Sequence, residues 1–237
     1  MHHIPTLVTP TQNEASLSPI NLAEVEEVLK ASSTNKSPVL DGFTAEFFKA
    51  GWPFLSQEIW DLVEDSHHLQ CISLGLNATF LTLTPKSQDA LAPSDFRPIS
   101  LCNVIYKILS MIFVKHLKSI LHHIISQGQS SFVEGRQILD GIVSTHETIH
   151  FMKSHETKGL ILKLDLSKDY DRLNWDYLLA LLKAFGFEYG WIHWINSLLF
   201  TPFFSILIND SPSATFIPSR GIRQGDPISP FLFIIAA

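Results

Sequence analysis

The sequence predicts an α+β fold. Three observations carry it: helical and strand patterns are mixed along the chain, no β-α-β rhythm alternates them, and no internal repeat is found. With 237 residues and 46% hydrophobic content the chain can bury a sizeable core, in one large domain or two joined subdomains, so the disordered class is excluded.

Each element follows from a local pattern. Asn21 and Glu24 form a capping-box start to a helix whose apolar positions include Leu22, Val25, Val28 and Leu29. The stretch SSTNKSPVLDG follows as a loop. Residues 54–69 carry Phe54, Leu55, Ile59, Leu62 and Val63 at helical spacing, and the Thr, Phe and Leu content of 78–84 predicts a strand that Pro85 ends. After a polar loop and FRPISL comes the longest helical pattern, 104–125, with Ile105, Ile108, Leu109, Ile112, Phe113, Leu117, Ile120 and Leu121 on one broad face; Gly128 closes it. Further helices are predicted over 138–152, 175–185 and 191–199, another from Pro230, and strands over 160–166 and 203–208.

Composition narrows the setting. Cys71 and Cys102 are too few and too far apart for a disulfide framework or a zinc ribbon, which fits a reducing compartment. The start, MHHIPTLVTP, lacks a basic region followed by an apolar run, and no stretch reaches the ~20 apolar residues that span a bilayer. The expectation is an intracellular chain, not secreted and with no membrane partner. A net charge of −6 argues at first against nucleic acid, but ten acidic and three basic residues lie before His67, and thirteen acidic and fourteen basic follow. Outside the first quarter the chain is neutral, so a polymer substrate is neither supported nor excluded by charge.

Three stretches carry chemistry. The apolar run LILKLDL ends in KLDLSKDYDRLNW, where Asp165, Asp169 and Asp171 crowd together. A carboxylate at the end of an apolar strand is costly unless water or a cation meets it, so Asp165 is either a metal ligand or a cap on the next turn. The loop in PSRGIRQGDPISPFLF offers glycines for close backbone approach and arginines for phosphate, or is an ordinary Gly/Pro turn. HETIH, residues 146–150, fits the zinc pattern H-E-x-x-H, but the residues beyond it supply no third ligand at the expected spacing. On a helical wheel His146 and His150 fall at the margin of the apolar face, as core-edge histidines.

FRPISLCNVIYKILS, QSSFVEGRQILDGI, LKLDLSKDYDRLNW and PSRGIRQGDPISPFLF, in this order, resemble the reverse transcriptase of LINE-type (non-LTR) retrotransposons, most closely those of plants. NKSPVLDGFTAEFFKAGW and the strand end at Lys86 are similar to the family's fingers region, so the likeness covers nearly the whole chain. It implies a right-hand polymerase fold: an N-terminal extension and the start of the fingers over 1–76, fingers over 77–158, and an incomplete palm with interleaved fingers helices over 159–237. It also implies an RNA template with a DNA primer, an incoming dNTP, and two Mg²⁺ ions that assist in-line attack of the primer 3′-OH on the α-phosphate. By matching position, Asp165 and the backbone carbonyl of Leu166 are metal ligands, and Tyr170 lies under the sugar. Gln224 and Gly225 pack on nucleotide and template, and Lys86 and Arg97 neutralise the triphosphate. Gln129, Arg136 and Arg223 fall where the family follows the template.

This chain also departs from the pattern. The family's second catalytic strand carries Ala-Asp-Asp after the helix starting at Pro230, whereas no Asp-Asp pair occurs here. One carboxylate is a poor cage for two close cations, so the chain is expected not to polymerise alone. Asp169 stands where the family usually has alanine, close to the triphosphate, and KSPVLDG lacks the family's Gly-Pro pair. A piece of a polymerase and a decayed remnant that binds RNA weakly therefore both stand, with a zinc metalloprotease as a remote third. Exposed apolar surface is expected around 231–235.

Overall fold

The structure, a computed structural model, describes residues 4–34 and 41–237. Most of the expected loop SSTNKSPVLDG, with the departure from the family's Gly-Pro pair at Val39 and Leu40, lies outside the described residues.

The chain opens with a short helix absent from the sequence-based expectation, α1 (Pro10–Ser16), started by a capping box between Thr9 and Gln12. Helix α2 (Leu22–Ala31) begins where Asn21 predicts, its Oδ1 accepting the Glu24 N–H at 2.9 Å. The Glu24 carboxylate does not complete the box. It pairs instead with His116 at 3.1 Å and Lys115 at 3.8 Å on a later helix.

Helix α3 (Ala45–Leu69) starts nine residues earlier than the apolar spacing predicts, because Thr44 caps it and the helix carries Pro53 in its interior. Phe54, counted among its apolar positions, is 83% exposed. A single turn, α4 (Leu74–Asn77), leads into strand β1 (Thr79–Pro85), which ends at the predicted proline. FRPISL proves to be a strand, β2 (Phe96–Cys102).

Helix α5 (Val104–Ile124) matches its prediction within one residue. Beyond it lie α6 (Ile138–Ser154), the single turn α7 (Asp169–Arg172), α8 (Trp175–Phe185), α9 (Tyr189–Phe200), strands β3 (Phe204–Ile208) and β4 (Ser211–Pro212), and α10 (Ser229–Ala236).

The four strands form one sheet in the order β2-β1-β3-β4. β1 runs antiparallel to β2, with Thr79 opposite Cys102, and parallel to β3, with Thr79 opposite Phe204. The sheet thus joins segments more than a hundred residues apart, which is why no βαβ rhythm shows in the sequence.

Two apolar clusters share α5. Ile105, Ile108, Leu109 and Ile112 pack against Val25, Val28 and Leu29 of α2 and Ile59 and Val63 of α3. Phe113, Leu117, Ile120 and Leu121 pack with Leu178 and Leu182 of α8, Trp191 and Trp194 of α9, and α10. The N-terminal segment closes this second cluster: the Leu7 and Val8 N–H groups donate to Phe185 O at 2.9 Å, and Asn13 bridges Gly186 O and the Glu188 N–H.

Two expectations need correction. Residues 160–166 form no strand; they have no hydrogen-bonded neighbour strand among the described residues, and Leu160, Leu162, Leu164 and Leu166 are 89%, 70%, 75% and 67% exposed. An extended apolar segment without a partner leaves its backbone groups to water, so the composition alone does not make a strand. The exposed apolar surface is also not at 231–235, where Leu232, Ile234 and Ile235 are buried against the second cluster. It lies on α6, no residue of which is buried, and on 160–166.

Local stability therefore differs along the chain. In limited trypsin digestion we expect the first cuts at Lys153, Lys158 or Lys163, with α5 intact. First cuts at Lys115 or Lys118 within α5 would contradict this packing.

Candidate functional site

Three of the motif stretches meet at one place. Residues 220–226 form a strap laid between α7 and β2. On one side the Gly221 N–H donates to Leu173 O and the Ile222 N–H to Tyr170 O, both at 2.8 Å, and Trp175 Nε1 donates to Gly221 O at 2.6 Å. On the other the Ser100 N–H of β2 donates to Gln224 O at 2.7 Å. Two glycines permit this. Gly221 has φ +86° and a Cβ there would stand 2.9 Å from Asp171 O; Gly225 has φ +111° and a Cβ would stand 3.0 Å from Ser100 O. A cavity of about 130 Å³ opens beneath the strap, between Leu81, Pro98, Leu198 and Phe204, with Arg220 and Gln224 among its lining.

Arg223 and Asp226, at the two ends of the Gln224-Gly225 pair, turn inward. Arg223 donates through Nη1 to Asn77 Oδ1 at 2.6 Å and Thr79 Oγ1 at 3.3 Å, and through Nη2 to the Tyr106 hydroxyl and, at 3.3 Å, to Leu198 O. Asp226 accepts from the Tyr106 hydroxyl at 2.5 Å, Ser110 Oγ at 2.6 Å and the Ile228 N–H at 3.3 Å, and lies 3.3 Å from Arg223 Nη2. Burial pushes the Tyr106 phenol well above its usual range, so it stays protonated and able to donate. For Arg223 burial works against the charge, but the Asp226 carboxylate and the hydrogen bond to the Tyr106 hydroxyl favour it, and the guanidinium stays protonated.

The structure brings some expected site residues together and separates others. Tyr170 is half-buried beside the strap, stacked on Phe233 with ring centroids 5.1 Å apart; burial, then Asp169, raises its hydroxyl pKa. Arg97 is exposed on β2 opposite Thr84. Lys86 is exposed but its Nζ donates to Ser94 O at 2.7 Å, in a loop fixed by Asp95, whose carboxyl is held below its usual range by the Ala92 and Leu91 N–H groups.

Arg223, expected at the template, is spent inside the protein. Arg136, expected likewise, donates to the carbonyls of Ile125, Ser126 and Gln129 and so closes the end of α5. Gln129 lines a shallow pocket with Phe185 and Ile235. Asp165 and Leu166 lie exposed in the irregular stretch before α7.

The buried polar partners were missed in the sequence. The available signal was Tyr106 and Ser110, two polar groups four residues apart within the apolar helix 104–125.

No group of three or more His, Cys, Asp or Glu could hold a metal ion among the described residues, so the donors present do not fit a two-ion centre. The same finding leaves HETIH without a third zinc ligand. Its histidines, expected at a core edge, sit instead on the exposed helix α6.

A glycine-dependent strap thus bridges two motif segments on a mixed helix-and-sheet scaffold. Residues 84–237 match the family described as Reverse transcriptase (RNA-dependent DNA polymerase), and the chain belongs to that family, whose domain is a polymerase fold. It is homologous to the RNA-directed DNA polymerases of non-LTR retrotransposons. It is 31% identical over 230 residues to the Transposon TX1 uncharacterized 149 kDa protein of Xenopus laevis, covering 97% of this chain and 18% of that protein. To the Retrovirus-related Pol polyprotein from type-2 retrotransposable element R2DM of Drosophila melanogaster it is 28% identical over 226 residues, 94% of this chain and 21% of that one. A 29-residue stretch, 12% of this chain, is 59% identical to the Uncharacterized mitochondrial protein AtMg01250 of Arabidopsis thaliana, covering 24% of it. The chain thus spans about a fifth of the length of the first two relatives.

If the strap depends on its glycines as described, Gly225→Ala is expected to destabilise the fold by about 1–3 kcal/mol, through the positive φ and the approach to Ser100 O. Urea denaturation measures this; an unchanged midpoint would show that residue 225 does not need that backbone conformation.

Proposed function

We propose that this chain is the fingers and part of the palm of a retrotransposon RNA-directed DNA polymerase, with 1–76 leading into the fingers, 77–158 forming them and 159–237 contributing the palm portion. In this reading it works inside the cell, in nucleus or cytoplasm, on an RNA template paired to a DNA primer. The observation that carries the reading is the strap 220–226, which holds Gln224 and Gly225 between Ser100 of β2, the strand that also bears Arg97, and the turn bearing Tyr170.

The chain's own residues then bind and orient. Arg97 is free to meet the triphosphate of an incoming dNTP, and Lys86 reaches it by releasing the Ser94 carbonyl. Gln224 and Gly225 present side chain and backbone to the nucleotide and its template base. Tyr170 supports the sugar. Gln129 lies toward the template, with Arg136 holding its loop rather than touching RNA.

Transfer itself is in-line displacement at the α-phosphate, for which the family generally depends on divalent metal, Mg²⁺ in this reading. Asp165 and the Leu166 carbonyl are the donors this segment offers, and they do not amount to a two-ion centre. We therefore assign the 237-residue segment binding and positioning, without primer extension of its own.

Fluorescence anisotropy with a labelled RNA–DNA hybrid, over a range of salt, tests both halves. The wild-type chain is expected to bind with salt-sensitive affinity, and Arg97→Ala to reduce the slope of log affinity against log salt by about one. No extension of the primer is expected with Mg²⁺ and dNTPs. Absence of hybrid binding would contradict the assigned role, and extension by this segment alone would contradict the metal argument.

A further inference from the structure

Arg223 and Asp226 are usually the kind of buried pair that adds little to stability, since desolvation offsets attraction and an apolar pair of similar volume often does as well. Their geometry points to another use. They flank two residues and both are anchored on elements buried in the core. Arg223 is tied to Asn77 at the end of α4, to Thr79 at the start of β1 and to Leu198 of α9, and Asp226 to Tyr106 and Ser110 of α5. With residues 223 and 226 pinned inward, the intervening pair must bulge outward. That bulge is where Gln224 O meets the Ser100 N–H and where Gly225 adopts φ +111°.

The pins are also mutually locked. Tyr106 accepts from Arg223 and donates to Asp226 through the same hydroxyl, and the Arg223 guanidinium lies 4.2 Å from the Tyr106 ring centroid. Ser110 Oγ donates to Asp226 and accepts the Ile228 N–H at 3.1 Å, which carries the register onward to the start of α10.

We infer that Asp226, with Tyr106, Ser110 and Arg223, is a positioning unit that sets the height and orientation of Gln224 and Gly225 over β2. The functional consequence rests on the reading of that pair as facing nucleotide and template. None of the four touches the reacting atoms, and all act through the strap.

The test uses the 237-residue chain, comparing Asp226→Asn, Tyr106→Phe and Ser110→Ala with Ile108→Val, a change in the apolar core of the same helix. Hydrogen exchange of the Ser100 amide, which donates to Gln224 O, is read against amides in the middle of α5. In Tyr106→Phe and Ser110→Ala the Ser100 amide is expected to lose about tenfold protection relative to the α5 amides, and in Asp226→Asn more. In Ile108→Val any losses are expected to run in step. If the Ser100 amide in the three polar variants falls only in step with α5, the unit is an ordinary core contact and the inference is overturned. Tyr106→Phe and Ser110→Ala each remove one hydroxyl, so they decide the matter even if Asp226→Asn does not fold.

Hybrid binding separates the two levels. Wild type that binds while a loosened variant binds equally well overturns the positioning role. Wild type that fails to bind defeats the polymerase reading, and the exchange result still decides whether the unit sets the strap.

Discussion

The structure depends on one helix whose apolar face is buried along nearly its whole length. Ile108, Leu109, Ile112, Leu117 and Ile120 of α5 are all fully buried, half of this face against α2 and α3 and half against α8, α9 and α10. A helix held by packing along its whole apolar face cannot slide or rotate without exposing apolar surface, at roughly 25 cal/mol per Å². It is therefore the fixed frame to which polar groups can be tied with defined geometry. Tyr106 and Ser110 exploit this, and through Asp226 and Arg223 the frame reaches the strap.

The two glycines of the strap complete the arrangement from the other side. Where Gly221 passes Asp171 O and Gly225 passes Ser100 O, there is no room for a Cβ, so the strap lies closer to its neighbours than any side-chain-bearing segment could. Short backbone hydrogen bonds then fasten it to the Tyr170 turn and to β2. The outcome is a surface element with little freedom, carried on a packed core.

Much of the fold was legible because its signals are local. Helices α5 and α8 follow from apolar spacing with ends marked by Gly, Pro or Asn, and β1 and β3 from their residue content. What failed was governed by partners. Residues 160–166 read as a strand on composition, yet they have no neighbour strand among the described residues, while FRPISL, polar at Arg97 and interrupted by Pro98, becomes a strand because β1 lies beside it. The start of α3 was hidden by Gly51 and Pro53, which punctuate a sequence but here sit inside a helix capped at Thr44. At the site, the motif order identified the strap and the Tyr170 turn, but residue type alone could not tell an arginine facing solvent from one bonded within the protein. Arg223 and Arg136 differ from Arg97 only in which acceptors the fold places around them.

In the proposed reading, Gln224 and Gly225, together with the strand β2 that bears Arg97, form the face this chain turns toward a paired template and primer. Photo-crosslinking of an RNA–DNA hybrid carrying a thio-substituted base at the primer end, with mass spectrometry of the linked peptides, tests it most directly. The account requires crosslinks within 220–226 and on β2 around Arg97. Crosslinks confined to the acidic α2 and α3 region, with 220–226 unmodified, would contradict it.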